Sequence, residues 1–538
     1  MKKVLKIIIP VIAVLLAVTI TVLGIFHEKI FYNTDWYIEK SQTADVKLTI
    51  DTSEKGETLD GFGASACWWS QIAGNSENAE EIAKLLYSKE GLGLNIYRYN
   101  IGAGSKDNPE TKITNPWRQT ESFYVYNEET GEFKYDFTRD AAAQDFLDLC
   151  LSYGCIDTVV LFANSPHYSM TLNGKAYGNE NWWVSNISPE NYEAYAEYLV
   201  TVAEHFINKG VPVKYISPIN EPNWSWGVAS VNQSQEGCFY NSEDIYAVYK
   251  AVVKEIKEKN LDIKLAGPES GEIGHRLYEW FDYLYKDPEI RPYLGALSYH
   301  SYWSDDLVNN KIGLGNWIKE NVDDITVEMS EWCHMNQYEG KDNVPPIDSI
   351  DGALRQARVM TNDLNFGNIN SWTAWVGVNG IGVGEDGKKY SDGLLAGNAD
   401  LSEYEIAMRY YAVAHFSNFI PKGSVKISTE KNINDIIETE ILGEKKTYYI
   451  IKYGVNCVSY LTPDNKIITV IVNEGVGRNL EIKVDAEYMS VFTTTQEMQM
   501  QQTYEGEIAE IELPEKSIMT IVFQNDSFSQ TETQTEKN

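Results

Sequence analysis

The sequence predicts an α/β architecture: a (β/α)8 TIM barrel with a side-associated antiparallel β-sandwich, preceded by an N-terminal transmembrane helix. Three observations carry this reading. Eight apolar runs alternate with segments of helical periodicity between residues 53 and 422. From Gly423 the pattern changes to short alternating strands with turn signals and no long helix. Ahead of both, Ile7 to Phe26 is charge-free, mostly apolar and long enough to span a bilayer core.

Taken in order, residues 1–26 read as a signal anchor. Lys2, Lys3 and Lys6 lie on its amino-terminal side, so the positive-inside rule leaves the remainder outside the cell. No small-x-small cleavage site follows, which favours an uncleaved anchor on the extracellular face of the membrane; cleavage would make the protein secreted. Residues 27–43 read as a polar stalk. The segment 44–52 contains Val46-Lys-Leu-Thr-Ile50, whose alternation matches the later sandwich and predicts that it joins it.

The barrel, 53–422, takes its eight strands from runs ending in Asp60 to Ala66, Leu94 to Asn100, Asp157 to Asn164, Val213 to Glu221, Ile263 to Pro268, Ala296 to Tyr302, Ile325 to Glu331 and Ile369 to Trp375. Helical periodicity covers Glu77–Tyr87, Asp140–Tyr153, Glu190–Asn208, Ser242–Lys259 and Ile350–Asn365. Residues 423–524 form the sandwich. The Ser/Thr/Gln/Glu-rich residues 525–538 read as a disordered tail.

The formal net charge of −33 excludes nucleic acid, whose binding draws on clustered Lys and Arg. It also disfavours a basic patch for anionic lipid. Six cysteines form no framework and no CxxC; Cys150 and Cys155 are near enough to pair, and buried thiols explain them equally well. No His/Cys cluster has zinc spacing, so neither metal nor cofactor is expected. The Gly-rich run Gly377 to Gly384 lacks a phosphate-loop Lys and reads as a flexible loop. A monomer is expected.

Two acids stand out. Glu221, in Asn220-Glu-Pro222, and Glu331 each end a barrel strand, where such folds gather their chemistry. Hydrolysis of a glycosidic bond needs one carboxyl held protonated and another ionised, and Glu221 as acid with Glu331 as nucleophile fits. Glu328 competes with Glu331, but strand alternation turns the two opposite ways unless the strand breaks, and Glu331 is nearer the end. Arg98, Asn164, Asn220, His300 and Tyr302 also fall at strand ends as candidate substrate or carboxylate ligands. Trp69, Trp224, Trp226, Trp303 and Trp375 are candidate aromatic faces for sugar rings.

Gly61-Phe-Gly-Ala-Ser65, Asn164-Ser-Pro-His-Tyr-Ser-Met-Thr171, Asn220-Glu-Pro222, His300-Ser-Tyr302, Ser330-Glu-Trp332 and His415-Phe-Ser-Asn-Phe-Ile-Pro-Lys-Gly423 occur in this order. Together they resemble glycoside hydrolase family 30, over roughly residues 45–525. The resemblance implies a retaining enzyme on a (β/α)8 barrel with a sandwich built from both chain ends, Glu221 as acid/base and Glu331 as nucleophile. The Asn164 to Thr171 stretch, with Asn173-Gly174, looks most like the endo-β-1,6-galactanase branch, which implies a β-1,6-galactan substrate. A glucuronoxylanase, a β-1,6-glucanase or a non-catalytic glycan-binding protein are the alternatives.

Overall fold

The computed structural model describes residues 45–181, 183–227, 233–304, 308–335, 344–432 and 454–525, with the strands Ile436–Ile441 and Glu444–Tyr449. The anchor and stalk expected over 1–43 and the tail expected beyond residue 525 lie outside the described residues. Among the described residues, no helix is long and apolar enough to cross a membrane.

A curled, all-parallel sheet holds the middle of the chain. Its strands in order are Gly61–Ser65, Ile96–Asn100, Thr158–Phe162, Val213–Ser217, a fifth in two pieces (Lys264–Leu265 and Pro268–Glu272), Ala296–Tyr302, Thr326–Trp332 and Ser371–Ala374. The last pairs with the first, Ser371 opposite Gly61 and Ala374 opposite Ala64. The two pieces of the fifth strand finish the circuit: the first pairs with the fourth strand and the second with the sixth. Alternation sorts the side chains. Ile96, Val160, Tyr215, Ala266 and Ala296 form a small cluster of their own, while Val159, Leu161 and Ile216 join the large core shared with the helices.

The fifth strand breaks at Ala266-Gly267. Gly267 has φ 118°, a conformation open to glycine, and the Tyr249 hydroxyl occupies the space a Cβ would take. The break lets the chain resume as Pro268–Glu272 with Glu269 turned into the site. In the seventh strand the pairing register shifts between Tyr299 and His300 on one side and between Met329 and Trp332 on the other. This irregularity answers the alternation argument about the two acids. Glu328 accepts a hydrogen bond from the Ser298 hydroxyl (3.0 Å), while Ser330 and Glu331 both reach the polar cluster above it.

The second unit differs from the expected sandwich in its hydrogen bonding. It is one nine-stranded sheet in the order Gln501–Glu507, Tyr488–Thr494, Ser517–Gln524, Ile467–Asn473, Val455–Leu461, Val425–Lys431, Val46–Thr58, Arg478–Lys483 and Ile511–Leu513. It is not wholly antiparallel, because Val46–Thr49 runs parallel to Leu480–Lys483. Ile467, Ile471, Met519 and Ile521 share an apolar core with Val46, Leu48, Leu480 and Leu513, so the sheet bends over itself around one interior. The alternate residues Ile468, Val470, Val472 and Ile518 belong to the large core. There they meet the helices Ile350–Phe366 and Met408–Ser417.

Candidate active site

Arg98, on the second strand, is fully buried and organises the carboxyl ends of three others. One guanidinium nitrogen donates to Glu331 Oε2 (2.7 Å); the other donates to Glu269 Oε2 (2.7 Å) and Asn220 Oδ1 (2.8 Å). Its planar fork matches this arrangement, and its face lies 3.4 Å from the Phe162 ring centroid. Asn220 passes the order outward: its amide donates to Asn164 Oδ1 (3.0 Å), and Asn164 donates to Asn100 Oδ1 (2.9 Å).

Glu331 accepts a second hydrogen bond, from the Tyr302 hydroxyl (3.1 Å). Glu221 is met by His300, whose Nδ1 lies 3.0 Å from its Oε1; His300 Nε2 lies 3.1 Å from Glu269 Oε2. Glu221 does not end a strand directly. The fourth strand stops at Ser217, and Glu221 follows at φ 45°. Trp226, Glu269 and Trp303 share this left-handed conformation, so four non-glycine residues of one cleft are held in a sparsely populated backbone region.

Burial pushes the Glu331 carboxyl up to about 7, against the pull of His300 and Arg98 and with the charges of Glu221 and Glu269 adding to the rise. Burial acts the same way on Glu269, but Arg98 and His300 overcome it and hold this acid down at about 2. His300 is raised to about 9: burial opposes its charge, and Glu331, Glu221 and Glu269 outweigh that. Two cations thus face three acids.

Atoms of Glu221, His300 and Glu331 lie within 4.8 Å of one another, a spacing that a cation could use. Both His300 ring nitrogens already lie within hydrogen-bond reach of carboxylates, Nδ1 at Glu221 and Nε2 at Glu269. The arrangement therefore favours proton transfer and carboxylate chemistry.

Above the acids opens a cleft of ≈ 670 Å³, lined by Trp224, Trp226, Trp303 and Trp375 together with Tyr302, Arg118 and Asp392. The Trp224 and Trp303 rings are 4.7 Å apart, and Trp375 meets Trp68 edge-on at 5.3 Å.

A model of O-glycosyl hydrolase family 30 matches residues 45–395. The chain belongs to glycoside hydrolase family 30. It is accordingly a glycoside hydrolase. An endo-β-1,6-galactanase from Hypocrea rufa is 22% identical over 431 residues, covering 76% of this chain and 82% of that protein. Among solved structures, a conserved exported protein from Bacteroides fragilis superposes with a TM-score of 0.74 at 26% identity, covering 88% of this chain and 99% of that one. The catalytic domain of a family 30 xylanase C from Talaromyces cellulolyticus gives 0.63 at 18% identity, covering 89% and 100%. At that identity the likeness is one of fold.

Within this family 30 site, the sequence-derived residues divide into three groups. Glu221, Glu331, Tyr302, Trp224, Trp226, Trp303 and Trp375 line the cleft. Arg98, Asn164, Asn220 and His300 lie buried, held in the hydrogen-bond network of the acids. Trp69 does neither: it is buried against Phe146, and its indole N–H donates to the Ser65 carbonyl, so it is a core residue and not a sugar platform. Its neighbour Trp68 is the one that backs Trp375. The Gly-rich run is also corrected: Val378–Gly380 pairs with Leu395–Gly397, and Gly382–Val383 pairs with Lys389–Tyr390. This ordered hairpin carries one wall of the cleft.

Glu269 went unread in the sequence. Gly267-Pro268 looks like the end of a strand, and only the resumption of pairing after it exposes an acid at a strand end. Asp392, Cys333 and Arg118 also line the cleft, from positions that carry no motif, and Asn379 does so from the paired strand Val378–Gly380.

Proposed function

We propose that the protein is a retaining endo-β-glycosidase that hydrolyses a β-linked polysaccharide by double displacement, with β-1,6-galactan as its substrate. The observation that carries this reading is the approach of Glu221 and Glu331, whose oxygens lie within 4.8 Å. Retaining enzymes keep their two carboxyls ~5–5.5 Å apart, whereas inversion needs ~6.5–9.5 Å to admit a water. In the first step a Glu331 oxygen attacks the anomeric carbon while Glu221 gives its proton to the departing oxygen. Water, deprotonated by Glu221, then attacks the same carbon and releases Glu331 with configuration retained.

The surrounding groups fit these roles. Arg98 and Tyr302 stabilise negative charge on Glu331, as an attacking carboxylate requires. The tryptophan-lined cleft suits a chain of sugar rings, and the galactanase relative supports the linkage. The xylanase likeness keeps glucuronoxylan as the second reading.

Incubation of the full chain with β-1,6-galactan, glucuronoxylan and β-1,6-glucan, with products resolved by size, tests both. A ladder of short oligomers from galactan alone, with β-configured first products, supports the reading. A ladder from xylan alone replaces the substrate, and α-configured products reject the mechanism. Glu331→Gln should abolish turnover and leave glycan binding intact. The reading also places the enzyme outside the cytoplasm, held by residues 1–26; recovery of the protein in the soluble fraction, with an amino terminus beyond Phe26, would refute the anchor.

A further inference from the structure

One lining acid has no part in the double displacement. Asp392 follows the hairpin that carries one cleft wall. Its Oδ1 accepts from the Asn379 side-chain amide (2.5 Å), and the Asn379 oxygen is itself taken by the Gly380 N–H (2.8 Å). Arg409, fully buried, donates to the neighbouring Ser391 carbonyl (2.5 Å) and interacts electrostatically with Asp392. The Asn379 amide thus holds one oxygen of the Asp392 carboxylate.

Its other oxygen is differently placed. Among the described residues, Oδ2 is met by the Cys333 thiol, at 3.7 Å. Burial, followed by the Asp392 charge, pushes that thiol well above its ordinary range, so it stays a weak S–H donor. An ionised carboxylate offers about four lone-pair positions. Asn379 and Cys333 occupy two, which leaves about two for a ligand in the cleft.

Location decides what the ligand presents. The Tyr302 hydroxyl is 3.1 Å from Glu331 Oε1 and 3.7 Å from Cys333 Sγ, and Cys333 in turn touches Asp392. Asp392 is thus linked to the attacking carboxylate through one phenol oxygen and one thiol, by contacts of 3.1, 3.7 and 3.7 Å in series. A sugar with its anomeric carbon at Glu331 turns the opposite ring edge toward Asp392.

We propose that Asp392 is a specificity-determining residue that accepts the C3 and C4 hydroxyls of the sugar bonded to Glu331, and so selects a neutral hexose. A uronic acid in the same place would set a second carboxylate beside Asp392, and like charges disfavour each other at that range. The inference rests on the double-displacement reading and goes beyond it by naming the ring edge that is recognised.

The test uses the full-length enzyme and an aryl β-1,6-galactobioside, with analogues lacking the C3 or C4 hydroxyl on the ring next to the aglycone. In the wild type each deletion should lower kcat/KM by roughly 10²-fold, because a charged acceptor in the cleft is left unpaired. Asp392→Asn should lose a similar factor on the parent and little more on the deoxy analogues, so that the two losses fail to multiply. Multiplying losses, or wild-type turnover of the parent by the variant, overturn the proposal. If the variant does not fold, the wild type alone decides: equal rates on parent and both analogues overturn it. Absence of any turnover, or inversion at the anomeric carbon, defeats the double-displacement reading instead.

Discussion

The Glu331 carboxyl sets the pH dependence of this site: burial raises it to about 7, against the pull of His300 and Arg98. On the proposed double displacement only its ionised form attacks, so kcat/KM should rise with pH through a midpoint near 7. Glu269→Gln removes a negative charge that helps to raise Glu331, which eases its ionisation and should move that midpoint to lower pH. A pH–rate profile of the two proteins checks the direction; an unmoved or raised midpoint would contradict it. Arg98→Lys keeps the charge but cannot serve Glu331, Glu269 and Asn220 together, and should cost about 10²-fold or more in kcat. At this scale the sequence pointed to the two acids that the fold brings together, because each follows an apolar run. Trp69 shows the limit: two adjacent tryptophans look alike in sequence, and only packing sends one to Phe146 and the other to Trp375.

Elements set these residues by small departures from regularity. The resumed fifth strand places Gly271 where a Cβ would stand 2.2 Å from Trp224 Nε1 and 2.8 Å from Glu221 Oε1. Gly271→Ala should therefore displace the acid and its neighbouring indole together. A misplacement of this order costs about 10²-fold in rate; thermal melting alongside kinetics should show activity falling far more than stability. The regular helices were the legible part. Ser242–Lys259 begins where Asn241 accepts from the Asp244 N–H (2.9 Å) and ends at Asn260, with φ 52°, signals visible in the sequence. Val308–Asn321 was missed because Gly313 and Gly315 weaken its pattern. Gly315 is there for packing: a Cβ would meet the Phe366 carbonyl at 2.0 Å.

At the scale of the molecule, the two units are joined through a buried histidine. His415 Nδ1 and Nε2 lie 2.8 Å from the hydroxyls of Thr520 and Thr494, and burial holds the ring down at about 3. A depressed histidine gives stability that is present above its unfolded value, near 6.5, and is lost as pH falls toward 3. Relative to His415→Gln, the wild type should lose about 1.4 kcal/mol per pH unit below 6.5, measured by denaturant unfolding at several pH values. Parallel loss in both proteins would remove His415 from the account. Two units were legible from the change in periodicity at Gly423, whereas the single bent sheet was not, because alternation reports faces and not which strands share hydrogen bonds. That sheet also orders events in time. Lys47 N–H donates to Asn432 Oδ1 across 385 positions of chain. At about 5–20 residues per second, a ribosome needs roughly 20–80 s between the two. Throughout that interval the first strand of the β unit has been made and its partners do not yet exist, so the nascent chain carries an unpaired edge until Val425–Lys431 has been synthesised.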